Sequence, residues 1–545
     1  MWNFAVFKRM ALLFFTNFIG FSLMAPPARA VAWDLGLVTI KREWVRIPVD
    51  PGVELIGTLY QKRGLKVDGP LVILLNPWSI GSWVYGLQAN ALAEKGFTVL
   101  SYNLRGWAGS QGTVDNGGAV DVADVSRVID WVSQTYHLDV SEVGVGGVSL
   151  GAGVALNAAA FEPRIRAVAS MSTWTNFYTP IYGNSTKRVF WDAVLWLGSV
   201  IGTGSPAAAK LKDTYEAIEN GDYAQIHEYA DPRSPVFFLD RFAVNKPAIL
   251  LSQNMSDILF PVSDVWTFFE SLPVPKKMNL QPGVHATAEI TGMFLPFKDK
   301  VWDDSIEWFE RWLKPHHPSH DVMTSEIQVT LRDGQMFAAE KTSDLAPAKG
   351  RFYLERYTEG KTFGKLMSSA SPSGIHTIES GKSSGVVSGL PLLGALVSET
   401  KIFGSKMKET SIRLDQAALY EFSVPDQGFR LLGVPRVHLS FRVHGDPATF
   451  ITHLFRLDRK GAWHLMSMTP YTVRGQPNGS MQTVEFDLYG AFESFDAGDR
   501  LILAIDTQDP EFKQAKGDYT LAFDNSGGSW IDLPLSRIDS SAEIQ

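Results

Sequence analysis

A serine stands at the centre of Val143-Gly-Val-Gly-Gly147-Val148-Ser149-Leu150-Gly151-Ala-Gly153, a G-x-S-x-G pattern between an apolar strand and a small-residue helix. A sharp strand-to-helix turn of this kind lifts a serine side chain above the sheet, and only glycine leaves room for the chain on either side. In a chain with 47 glycines the pattern alone is weak; the strand before it and the helix after it give it weight. A serine hydroxyl attacks a carbonyl only if a base takes its proton and a carboxylate orients that base. On a strand–helix scaffold the acid and then the base follow the serine. Asp257 lies just past the strand 248–252, and His285 lies on a turn after the next strand, 278–280. Of the 11 histidines, His137 and His227 precede the acid, and His316, His317 and His320 follow the last helix. Asp240 and Asp264 are the rival acids, read as solvated carboxylates.

The oxyanion formed in such an attack needs N–H donors. The backbone N–H of Leu150 is one expected donor. Trp78, in Asn76-Pro-Trp78 after the strand 71–76, is the other, through its backbone or its indole N–H. No metal or organic cofactor is implied. The chain has no cysteine, which excludes thiolate nucleophiles, disulfides and cysteine-ligated metals.

These side chains need a scaffold. The 545 residues exceed one ordinary domain, and 45% hydrophobic content suffices for large cores. The net charge is −8, with no basic run of the kind nucleic acid requires. From Trp44 to Pro315 short apolar strands alternate with helices such as 120–132 and 302–313, the signature of a parallel sheet covered by helices. Residues 175–244 interrupt the rhythm and are expected to form a helical cap bearing Trp174, Phe177, Tyr178, Tyr182, Phe190, Trp191 and Trp196 at or near a pocket or its own core. After a linker at 316–330, period-two runs such as Val437, Leu439, Phe441 and Val443 predict a β-sandwich over 331–545, with 368–394 a long loop. At the N-terminus, Lys8-Arg9, an apolar run over 10–24 and Ala28-Arg-Ala30 read as a signal peptide of residues 1–30. A periplasmic or extracellular protein that does not remain in the membrane is expected.

The chain resembles the CocE/NonD and X-prolyl dipeptidyl-peptidase (S15-like) family of serine hydrolases. The resemblance runs from Trp44 to Phe523. It rests on Asn76-Pro-Trp78, Leu104-Arg-Gly-Trp-Ala-Gly-Ser-Gln-Gly112, the Ser149 elbow, Ala158–Val168, and Phe422–Leu439 with Ala497-Gly-Asp-Arg-Leu501. It implies an α/β-hydrolase domain at 31–315, a helical cap, a C-terminal jelly-roll domain, and Ser149, Asp257 and His285 as a triad. Cocaine-esterase-type relatives usually carry tyrosine at the positions of Trp78 and Leu150, and the family commonly has aspartate at Asn103. Those departures spare the backbone donors but not any one substrate assignment. The expected activity is cleavage of small esters or amides through an acyl-enzyme on Ser149. X-prolyl dipeptidyl aminopeptidase or acylase chemistry is the alternative, for which Glu216, Glu219 and Glu228 are the amine-binding candidates. A non-catalytic binding protein on the same fold is the remaining class.

Overall fold

The computed structural model describes residues 39–64, 69–189, 191–192, 195, 198, 216–218, 220–294, 299–314, 327–355, 363–370, 374–386 and 407–536. The expected signal peptide, Phe190, Trp196, Glu219 and His316, His317 and His320 lie outside them.

Strands β1 (Ile40–Asp50), β2 (Val53–Lys62), β3 (Leu71–Leu75), β4 (Thr98–Tyr102), β5 (Val143–Val148), β6 (Ile165–Met171), β7 (Ala248–Asn254), β8 (Lys276–Gln281), β9 (Ile327–Thr330) and β10 (Met336–Ala339) form one ten-stranded sheet. Its order is β1-β2-β4-β3-β5-β6-β7-β8-β9-β10. The pairs from β4 through β3 to β9 are parallel, and antiparallel pairs close both edges. Leu71–Leu75 is fully buried, because helices cover both faces of the sheet. Helices Ala119–Tyr136, Leu150–Phe161 and Val262–Ser271 pack on one face; Gly86–Glu94 and Lys300–Leu313 pack on the other. The last of these buries Trp302, Ile306, Phe309 and Leu313, and Asp299 caps its first turn by accepting from Val301 and Trp302 N–H.

The expected boundaries need correction. The sheet does not end at residue 315, and residues 327–339 are neither linker nor part of the β-sandwich. Ile327 pairs with Met278 and Val329 with Leu280, which carries β9 onto β8 in parallel register, and β10 folds back on β9. Ile327 and Val329 are short, apolar and fully buried, so they complete the sheet that the closing helix covers. The stretch 368–394 is not all loop either: Ile375–Glu379 pairs with Thr520–Asp524.

Among the described residues the remaining thirteen strands form a β-rich region whose pairs are antiparallel, except for Gly364–Met367 beside Ala417–Ser423. Its core gathers the alternating residues expected there, Val437, Leu439, Phe441 and Val443 among them. Between β6 and β7 the cap contains helices Tyr178–Tyr182, Tyr223–Ala230 and Leu239–Asn245. It is not wholly helical: Arg188 pairs in extended form with Phe512 of the β-rich region. Val189 N–H donates to the Glu511 carbonyl at 2.8 Å, and Lys513 N–H donates to the Lys187 carbonyl at 2.9 Å.

Candidate active site

The turn after β5 is tight because its neighbours lack side chains. A Cβ on Gly147 would sit 2.7 Å from the Leu75 carbonyl oxygen, and one on Gly151 would sit 2.1 Å from it. With that space available, the chain turns at Ser149 through φ 57°, ψ −112° and enters the helix Leu150–Phe161. Such angles are strained for a residue with a Cβ. The turn is held from behind: Val148 N–H donates to the buried Tyr85 hydroxyl at 3.0 Å, and Ser149 N–H donates to the Met171 carbonyl at 2.9 Å.

The topology brings the three expected side chains together, across 136 positions between Ser149 and His285. Ser149 Oγ and His285 Nε2 are 2.8 Å apart, and His285 Nδ1 lies 2.8 Å from Asp257 Oδ2. Asp257 is buried, and its other oxygen accepts from Leu259 and Phe260 N–H, both at 2.9 Å. Gln253 Nε2 donates to Oδ2 at 3.1 Å. The carboxylate is thus fixed from three sides, with one lone pair aimed at the imidazole. Trp191 of the cap and Phe260 stand edge-on to the His285 ring, with centroids 5.6 and 5.0 Å away. Neither rival acid reaches His285. Asp240 is exposed, as expected; Asp264 is not an ordinary solvated carboxylate, since burial pushes its pKa up to about 6.

The backbone N–H of Leu150 belongs to the first turn of its helix, where donors have no partner within the helix. Of the two Trp78 donors, the indole N–H is engaged by the Leu195 carbonyl at 3.1 Å. The backbone N–H is therefore the candidate that remains. Asn76 shapes that loop: its amide donates to the Pro77 and Ile80 carbonyls and its oxygen accepts from Leu104 N–H.

A cavity of about 90 Å³ opens beside Ser149 and Leu150. Trp78, Trp174, Phe177, Ile181, Leu195 and Phe260 give it an apolar wall; Asn116, Asp192 and Tyr229 are its polar members. Of the expected aromatic residues, Trp174 and Phe177 line it, Trp191 meets His285, and Tyr178 and Tyr182 pack within the cap. Glu216 and Glu228 are exposed and are not part of the lining. The carboxylate in the wall is Asp192, with Lys187 Nζ 3.6 Å from it.

Residues 60–287 match the sequence model of the X-Pro dipeptidyl-peptidase (S15 family). They span β3 to β8 and all three residues of the Ser149–His285–Asp257 chain. The match covers less than half of the chain, and over that stretch the chain is similar to the S15 family. A 31.7 kDa Escherichia coli protein from the traX-finO intergenic region is 27% identical over 178 residues, 32% of this chain and 57% of that protein. The chain thus spans little more than half the length of that relative. Among solved structures, an α-amino acid ester hydrolase superposes with TM-score 0.70 at 14% identity, covering 94% of this chain and 100% of that one. A CocE/NonD family hydrolase from Staphylococcus aureus gives 0.68 at 13%, covering 91% and 94%. An aminopeptidase from a marine-sediment Thaumarchaeota archaeon gives 0.69 at 12%, covering 91% and 96%. At these identities the likeness establishes the fold, an α/β-hydrolase sheet with a β-rich C-terminal region.

The histidine loop rests on a polar cluster that the sequence pattern does not disclose. Ser172 donates its hydroxyl to Glu289 at 2.9 Å and accepts from Asn254 Nδ2 at 2.8 Å and Ala286 N–H at 3.2 Å. Asn254 Nδ2 also reaches Glu289 at 2.8 Å. Burial pushes the Glu289 carboxyl up to about 7 against the pull of these donors and of His285. A lone carboxylate four positions after His285, in the otherwise uncharged stretch 286–294, was the available signal.

Two arginines were also missed. Arg332, just past β9, donates to Ser256 Oγ at 2.9 Å and to Glu493 at 3.0 Å. Arg188 donates to the Ile258 carbonyl and, at 2.7 Å, to the Tyr489 hydroxyl. The residues on both sides of Asp257 are thereby tied to the β-rich region.

Proposed function

We propose that the protein is a serine hydrolase that cleaves small carboxylic esters or amides through an acyl-enzyme on Ser149. The observation that carries this reading is the continuous chain from Ser149 Oγ to His285 to Asp257, 2.8 Å at each link. His285 takes the hydroxyl proton as Ser149 attacks the carbonyl carbon. Asp257 holds the imidazole in the tautomer that can accept at Nε2 and stabilises the imidazolium. The tetrahedral oxyanion is met by the backbone N–H groups of Leu150 and Trp78. His285 then protonates the leaving alcohol or amine, and water repeats the sequence on the ester to Ser149. The edge-on rings of Trp191 and Phe260 favour this by limiting how far the imidazole can swing.

Aminopeptidase chemistry is the second reading, favoured by the S15 match and by Asp192 in the cavity wall. Lys187 beside Asp192 weighs against it, because a cation already neighbours the carboxylate a substrate amine would need. An uncharged substrate end, and so an esterase, fits the wall better. Export is part of the proposal and rests on Lys8-Arg9, the apolar run and Ala28-Arg-Ala30.

A fluorophosphonate probe should label the wild-type chain and leave Ser149→Ala unlabelled; an unlabelled wild type would refute the hydrolase assignment. Rates on p-nitrophenyl esters against Xaa-Pro-p-nitroanilides then separate the two activities. Mass measurement of the N-terminus after expression in an exporting host tests processing after Ala30.

A further inference from the structure

Asn116 lines the cavity beside Ser149 with only 3% of its surface exposed. Its backbone is left-handed, φ 55°, a conformation asparagine tolerates better than most residues. Both neighbours are pinned. Asp115 pairs with Arg233 at 3.0 Å. Gly117 donates to Asp121 at 2.8 Å and accepts from Asn157 at 3.0 Å. The side chain is therefore held in the wall with little freedom to turn away.

Its Nδ2 donates to the Tyr229 hydroxyl at 2.9 Å, while Oδ1 is buried without a hydrogen-bond partner. Among the described residues the Tyr229 hydroxyl proton also has no acceptor. Burying an unmatched acceptor beside an unmatched donor is unfavourable, and an apolar wall offers neither any relief. Resting on the hydrolase reading above, we infer that Asn116 and Tyr229 form a specificity subsite for a neutral hydroxyl on the apolar part of the substrate.

The chemistry selects a hydroxyl because one such group closes the circuit. Tyr229 O–H donates to the substrate oxygen, and the substrate O–H donates to Asn116 Oδ1. The two groups left unmatched, Oδ1 and the Tyr229 hydroxyl proton, are then both used. A carboxylate lacks the donor, an ammonium lacks the acceptor, and a plain aryl or alkyl group has neither.

The test compares p-nitrophenyl esters of phenylacetic, 3-phenylpropionic and 4-phenylbutyric acids with their para-hydroxy counterparts. Acetate esters of the corresponding phenylalkanols, with and without the hydroxyl, probe the alcohol side. At one chain length the hydroxylated ester should exceed its parent in kcat/KM by about 10- to 100-fold, chiefly through KM. That ratio should fall towards one in Tyr229→Phe, which keeps the ring that lies 3.9 Å from the Arg233 guanidinium. It should fall likewise in Asn116→Gly, which accepts the left-handed backbone. No hydroxylated ester preferred over its parent, or a preference that survives both substitutions, overturns the assignment. Probe labelling of Ser149 and turnover of the parent esters are read separately. Their absence refutes the hydrolase and the subsite with it, whereas their presence with a ratio of one removes the subsite alone.

Discussion

Ile258, the residue after Asp257, gives its carbonyl oxygen to the guanidinium of Arg188, a side chain from the cap. The same guanidinium donates to Tyr489, and Arg188 pairs through its backbone with Phe512. One buried cation therefore joins the acid loop, the cap and the β-rich region. Beside it Glu511 is buried, its pKa raised by desolvation against the attraction of Arg188. Arg188→Met should destabilise the protein by about 2–4 kcal/mol, because it removes the donor to the Ile258 carbonyl and the Tyr489 hydroxyl. It should also lower kcat on esters at least tenfold by loosening the loop that carries Asp257. Chemical denaturation of the variant beside the wild type measures the loss, and an unchanged stability would count against the coupling.

The angles at Ser149 make a second prediction. Glycine at this position relieves the backbone strain that a Cβ imposes, so Ser149→Gly should raise stability by roughly 1 kcal/mol or more while abolishing turnover. Ser149→Ala should abolish turnover without that gain, since it keeps the Cβ. Thermal melts of the two inactive variants side by side provide the comparison, and equal melting temperatures would argue that the turn is not strained.

Gly151 faces the Leu75 carbonyl so closely that no side chain fits. Gly151→Ala should push the helix away from β3, costing about 3 kcal/mol or more, and remove probe labelling of Ser149. A variant that is folded and labelled at the wild-type rate would show that the elbow can shift at little cost.

Glu289 should leave its mark on the pH dependence of stability. Its carboxyl is raised from an ordinary 4.5 to about 7, so between these values the folded state holds a proton that the unfolded state has released. Its contribution is complete below about pH 4.5 and is lost as the pH rises through about 7, on the order of 3 kcal/mol in all. Glu289→Gln should remove this part of the decline. Denaturation from pH 4.5 to 8 would show a shallower slope in the variant; identical slopes would assign the effect elsewhere, to Asp121 for example, which burial also raises to about 7.

The sheet and the Ser149–His285–Asp257 chain were legible because each announces itself locally. Leu71–Leu75 is an unbroken apolar run, Ser149 sits among glycines, and Asp257 and His285 follow recognisable strands. Strand β9 escaped notice because Ile327 and Val329 alternate with Gln328 and Thr330, a pattern equally at home in a sandwich. Arg188, Arg332 and Glu289 escaped for a different reason. A charged side chain looks solvated in sequence, and only contacts with Tyr489, Glu493 and Ser172, each more than a hundred positions away, reveal its burial. Asn116 was silent in the same way, since its partner Tyr229 lies 113 positions on.

Strand β9 also means that the two halves of the protein cannot be cleanly divided just after the helix Lys300–Leu313. A polypeptide stopped near residue 315 would leave the backbone of Met278–Leu280 facing water with its ladder half built. Such a raw margin invites another copy to add itself, so a shortened catalytic half is expected to clump unless a few dozen further residues travel with it.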